Sequence, residues 1–77
     1  IDLGEPGAAN RLMADVASHG ETVTGLINNA GFGLWGKFAT HDGERLRQMI
    51  DLNCGALVEL CREVVPPMIA RGDGAIL

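Results

Sequence analysis

The alternation of apolar and polar positions predicts five elements. Between Ala8 and His19 the apolar residues Ala9, Leu12, Met13, Val16 and Ala17 recur at helical spacing, so one face of a helix is buried. Pro6, in the turn Gly4-Glu5-Pro6-Gly7, suits the first turn of that helix, and Gly20 ends it. Arg11 and Asp15 lie four apart on the other face and read as solvated. Val23 to Asn28 is an apolar run with β-branched residues that reads as a short buried strand. A glycine-rich loop, Gly31 to Gly36, and Lys37-Phe38-Ala39 lead to a second helix, capped by Thr40 or Asp42. Its pattern runs to about Arg71, with Leu46, Ile50, Leu57, Leu60 and Val64 as the buried stripe. Pro66 and Pro67 should kink or end it, unless Pro66 opens a further turn. Ile1 to Leu3 reads as the end of one strand and Ala75 to Leu77 as the start of another. The order strand–helix–strand–helix–strand predicts the α/β class with a parallel sheet.

Length and charge narrow this picture. The 77 residues begin at Ile1 without Met and stop inside an apolar run, which reads as a segment of a larger domain truncated at both ends. A net charge of −4 and a single lysine, Lys37, argue against a nucleic-acid or anionic-membrane surface. No stretch approaches a membrane span and no signal peptide is visible. Cys54 and Cys61 share one helix, roughly 10 Å apart at ~1.5 Å per residue, too far for a disulfide. They read as buried or half-buried thiols of a reducing compartment, with no metal role, and a cytoplasmic location is expected.

Two places carry candidate chemistry. The strand from Val23 stops at Asn28-Asn29-Ala30-Gly31, and in an open parallel sheet ligands lie beyond the carboxyl ends of the strands. Gly31 frees the chain to take a positive φ or to let a ligand approach closely. An ordinary turn would use the same residues. Asn53 lies inside the apolar helix stripe, with Gly55 two residues on. A buried amide left without partners costs roughly 1–3 kcal/mol, and a mid-helix glycine about 1 kcal/mol relative to alanine. Together they indicate backbone that bonds something other than its own helix, although a satisfied core amide is the commoner use of such an asparagine.

In combination these residues resemble the short-chain dehydrogenase/reductase family over essentially the whole chain. The likeness rests on Asp2 after a strand, Asn28-Asn29-Ala30-Gly31 after the next, Asp51-Leu52-Asn53 within the helix and Gly74-Ala75-Ile76-Leu77 entering the third strand. Phe32-Gly33 and Pro67-Met68-Ile69-Ala70-Arg71-Gly72 are similar to its oxoacyl-reductase-like members. The resemblance implies the central part of a doubly wound, Rossmann-type domain, with residues 1–77 as a partial dinucleotide-binding unit. It implies that Asp2 meets the adenine amino group, with the Leu3 backbone beside it. Asn28, Asn29, Ala30 and Gly31 would line the cofactor riboses, Asn29 and Gly31 nearest. Asn53 matches the catalytic-tetrad asparagine, whose backbone carbonyl, freed by a helix distortion, holds a water of the proton relay. The cofactor implied is NAD or NADP, with NADP slightly favoured.

The resemblance also shows what this sequence lacks. It has no glycine-rich phosphate turn and no tyrosine; Lys37 and the single serine, Ser18, lie in the wrong elements. By itself the segment should be inactive. Three readings follow: an NAD(P)-dependent oxidoreductase moving hydride between nicotinamide and a carbonyl or secondary alcohol, a non-catalytic dinucleotide-binding or sensing member, and an α/β domain binding another nucleotide or none. Phe32, Leu34 and Trp35 would form an apolar wall of a pocket for an acyl or other aliphatic substrate, or Trp35 and Phe38 would pack onto the following helix. The family's habit of pairing this helix with its copy, and Met49, Ala56 and Val65 on its far side, lead to the expectation of a homodimer or homotetramer.

Overall fold

The computed structural model describes all residues from Ile1 to Leu77. Its elements are α1 (Ala8–Ser18), β1 (Gly25–Leu26), a 3-10 turn (Phe38–Thr40), α2 (Gly43–Ile50), a π-helical segment (Asp51–Ala56), α3 (Leu57–Arg71) and β2 (Ala75–Ile76). Helix α1 ends as its sequence requires: Gly20 takes a φ of +72°. Its N–H then reaches Ala17 O at 3.0 Å, while that of Glu21 reaches Val16 O at 3.3 Å. This paired closure satisfies two carbonyls that the last helical turn leaves open.

The two strands pair in parallel, Gly25 opposite Ala75 and Leu26 opposite Ile76. Flanking bonds extend the ladder: Ala75 N–H to Thr24 O (3.2 Å), Leu77 N–H to Leu26 O (2.9 Å) and Asn28 N–H to Leu77 O (2.9 Å). The regular strand is thus shorter than the apolar run Val23–Asn28, although its pairing reaches the first asparagine. Residues Ile1 to Leu3 are not a strand. Asp2 folds into a turn instead, its Oδ1 accepting from Gly4 N–H at 2.9 Å and its carbonyl from Glu5 N–H at 3.1 Å. A strand needs a neighbour along its edge, and the only ladder in the chain joins β1 to β2.

Asp42 rather than Thr40 caps α2, accepting from Glu44 N–H at 3.2 Å. Thr40 Oγ1 donates to Lys37 O at 2.7 Å within the 3-10 turn. The long helix then changes pitch. Across Asp51–Ala56 it is π-helical, with N–H groups paired five residues back instead of four. It returns to α geometry and runs through Pro66 and Pro67 to Arg71, where the prolines were expected to kink or end it. Both prolines are exposed, and the bonds they cannot make are those to the carbonyls four residues earlier, on Arg62 and Glu63.

The core lies between α1 and α3 and consists of Ala8, Ala9, Ala56, Leu60, Val64 and Met68. The α3 side of it recurs every four residues. This departs from the expected stripe: Ile50 is 50% and Leu57 41% exposed, while Ala56, expected on the far side, is 3% exposed. Beyond the π segment Leu60 and Val64 are buried as expected, so the stripe holds in α3 and is altered at Ile50, Ala56 and Leu57. Cys54 is exposed rather than buried or half-buried; Cys61 is half-buried. No helix is long and apolar enough to cross a membrane.

Candidate functional site

The loop that leaves β1 and the π segment meet across 21 residues of sequence through one side chain. Asn53 Oδ1 accepts from Phe32 N–H at 2.9 Å, and Asn53 Nδ2 donates to Phe32 O at 2.8 Å. The amide therefore pairs with both backbone groups of Phe32 as a neighbouring strand would, and neither end of it is left unsatisfied. Asn53 is half-buried. An asparagine in a helix stripe, otherwise a liability, here holds the loop leaving the sheet.

Residues Asn28 to Gly31 lead into this clamp. Asn28 is half-buried, and its Nδ2 donates to Cys61 Sγ on α3 at 3.6 Å. Asn29, Ala30 and Gly31 are exposed. Gly31 does not take a positive φ. A Cβ built on it would lie 2.9 Å from Asn53 Oδ1, so the group in close approach is the Asn53 amide.

Two clefts adjoin this edge. The smaller, about 60 Å³, lies between the strand end Ile27–Ala30 and the helix residues Leu52, Ala56, Leu57 and Leu60, with Leu3 at its side. The larger, about 320 Å³, lies between the Asp2–Pro6 turn and Phe32, Arg45, Gln48 and Leu52. Asp2 uses Oδ1 in its own turn and makes no hydrogen bond within the chain through Oδ2. Phe32 forms part of the larger cleft's wall, and the Arg45 guanidinium sits 4.0 Å from its ring centroid, an arrangement in which ring and cation attract.

The structure thus brings Asn53, Gly31, Phe32 and the strand end together and sets Asp2 and Leu3 beside them across the clefts. Trp35 stands apart: it is 92% exposed, and Phe38 is 77% exposed, so neither packs on the following helix. Sequence reasoning missed three features. The backbone partner of Asn53 has no side-chain signature. Arg45 over Phe32 depends on how the loop returns to α2. Leu52 lines both clefts, and its place beside Asn53 was the one available hint.

Residues 1–77, the whole chain, match the family model described as short chain dehydrogenase. The chain belongs to the short-chain dehydrogenase family. It is 31% identical to the uncharacterized oxidoreductase YbbO of Escherichia coli (strain K12) over 78 residues, covering 100% of this chain and 29% of that relative. It is 32% identical over 79 residues to the NADP-dependent 3-hydroxy acid dehydrogenase YdfG of Salmonella typhimurium, covering 100% of this chain and 32% of that protein. Among solved structures it resembles L-sorbose reductase from Gluconobacter frateurii, complexed with NADPH and L-sorbose. That match has a TM-score of 0.86 at 33% identity and covers 99% of this chain and 29% of the reductase. The chain therefore spans about three tenths of the length of these family members. Its β1–helix–β2 unit is a parallel crossover of the Rossmann-type α/β fold that such short-chain dehydrogenases share.

Proposed function

We propose that the chain forms the central part of the cofactor and proton-relay site of an NAD(P)-dependent oxidoreductase. The enzyme would transfer hydride between nicotinamide and a carbonyl or secondary-alcohol substrate, possessing an acyl or other aliphatic body. The observation that carries this reading is the π segment with Asn53 clamped to Phe32 at the carboxyl edge of β1. Returning from five-back to four-back pairing passes over one carbonyl, and a spare acceptor in mid-helix is what a relay water needs. We assign that acceptor to Asn53. Its side chain, tied to Phe32, acts only by holding the distortion in place.

The residues at the edge suit a dinucleotide. Asp2 offers an unpaired carboxylate oxygen beside apolar Leu52 and Phe32, a combination that accepts from an amino group on a flat heteroaromatic base. The Leu3 backbone would lie beside that base, while Asn28, Asn29, Ala30 and Gly31 would line the riboses. NADP is favoured over NAD because YdfG is NADP-dependent and the sorbose reductase was solved with NADPH. When bound, the nicotinamide supplies or accepts the hydride; this chain's residues position it and pass the proton. Phe32 and Trp35 would border the substrate, and the copy-to-copy packing of the long helix would give a homodimer or homotetramer in the cytoplasm.

The test uses the complete enzyme containing this segment. NADPH should bind with fluorescence enhancement and be oxidised at 340 nm on addition of ketones from an aliphatic panel. Asn53→Ala should lower kcat by more than the about tenfold loss of NADPH affinity that releasing the Phe32 loop brings, because general acid–base assistance is worth about 10²–10⁴-fold. Binding without turnover on any carbonyl would favour the sensing alternative. A folded Asn53→Ala enzyme with near-normal kcat would leave Asn53 as a packing residue.

A further inference from the structure

We propose that the absent side chain at Gly31 serves Asn53: Gly31 is a positioning residue that leaves room for the amide clamping Phe32. The backbone does not demand glycine here, since Gly31 lies outside the positive-φ set. Space does. A Cβ would stand 2.9 Å from Asn53 Oδ1, 3.4 Å from Cγ and 3.9 Å from Nδ2, the first closer than side-chain carbons come to an oxygen they do not bond. The oxygen cannot swing aside freely, because the same amide is fixed at both ends, at 2.9 Å and 2.8 Å. Any side chain at position 31 pushes on the atom that receives the Phe32 N–H, so that bond is the first to fail. The released loop then loses its tie to the π segment, and the strand edge loses its frame.

This rests on the proposed dinucleotide site insofar as the clamped loop is the edge along which the cofactor lies. The two explanations of a glycine here, room for a ligand and room for Asn53, part in a double-mutant cycle. In the complete enzyme, Gly31→Ala, Asn53→Ala and the double variant are compared with the parent by NADPH titration, by thermal midpoint and by the ¹⁵N–¹H resonance of the Phe32 amide. Gly31→Ala should weaken NADPH binding about 5- to 10-fold, the consequence of one lost hydrogen bond. In the Asn53→Ala background the same change should cost less than about twofold, because the clash is gone. The Phe32 amide should move upfield in Gly31→Ala and in Asn53→Ala alike, a signature that general loosening would not confine to one residue. Equal losses in both backgrounds, or an unmoved Phe32 resonance in Gly31→Ala, would overturn the proposal. If Gly31→Ala fails to fold, a folded double variant supports the proposal, and a double variant that also fails beside a folded Asn53→Ala defeats it. Should the parent bind no NADPH, the functional reading falls, while the midpoints and the Phe32 resonance still decide the role of Gly31.

Discussion

Replacing Asn53 by aspartate exchanges a single group of the clamp, the Nδ2 amide, for an oxygen. The bond from Phe32 N–H to Oδ1 survives and gains strength from the charge. The other bond, Nδ2 to Phe32 O at 2.8 Å, becomes two acceptors face to face in a half-buried site. The loss of a neutral hydrogen bond is worth about 1 kcal/mol, and an acceptor left without a donor costs roughly 1–3 kcal/mol more. With the strengthened partner bond offsetting part of this, Asn53→Asp should destabilise the folded enzyme by about 2 kcal/mol at neutral pH. In a chain of 150–250 residues that lowers the thermal midpoint by about 4–8 °C. The sign of the pH dependence follows from the geometry. Repulsion from Phe32 O raises the folded-state pKa of the introduced carboxyl above its unfolded value, so the folded state binds the proton more tightly. Stability is then regained as pH falls through the raised pKa, where the carboxyl O–H can donate to Phe32 O, and is lost as pH rises through it. The assay is the thermal midpoint of the variant minus that of the parent from pH 4.5 to 8. A gap that stays constant across that range would refute the clamp as described.

Three further outcomes are expected. Trp35→Ala in the complete enzyme should raise KM for bulky carbonyl substrates more than for small ones, because the indole is 92% exposed within this chain and free to meet a ligand; an equal effect across substrate sizes would remove it from the pocket wall. Gly74→Ala should cost about 1–3 kcal/mol by chemical denaturation, since a Cβ would overlap buried Met68 at a φ of +149°, and a variant as stable as the parent would show that Met68 can move. Residues 1–77 expressed alone should show no cooperative thermal transition, because six buried residues cannot offset the chain entropy of 77; a sharp two-state melt would contradict this.

Chain ends of helices were the most legible part of the fold. Gly20 and Asp42 act through bonds made within a few residues, so local sequence suffices to place Gly20 and to narrow the cap of α2 to Thr40 or Asp42. The strand expected at Ile1–Leu3 failed for the opposite reason: strand pairing is a property of two segments, and the apolar Ile1 and Leu3 cannot reveal whether an edge lies beside them. The stripe in the long helix was half right. Asn53 and Gly55 among apolar residues signalled a local departure from the helix, but not its π geometry, nor that Ile50 is exposed and Ala56 buried. At the candidate site, the asparagines and Gly31 stood out because each is costly or unusual in its setting. Phe32 as the backbone partner of Asn53 did not, because a clamp on the main chain leaves no mark on residue identity.

The π segment also constrains how the length of this helix can change. Deleting one residue between Asp51 and Ala56 would restore a regular helix, but would turn α3 by roughly 100° and draw it back ~1.5 Å relative to α2. Either Asn53 would remain opposite Phe32 and the line Ala56–Leu60–Val64–Met68 would rotate away from α1, or that line would keep its seat and the amide would swing off the loop. A single-residue deletion that spares Asn53 therefore trades one attachment for the other. Point substitutions in this stretch can be graded by side chain; insertions and deletions that spare Asn53 are governed by count.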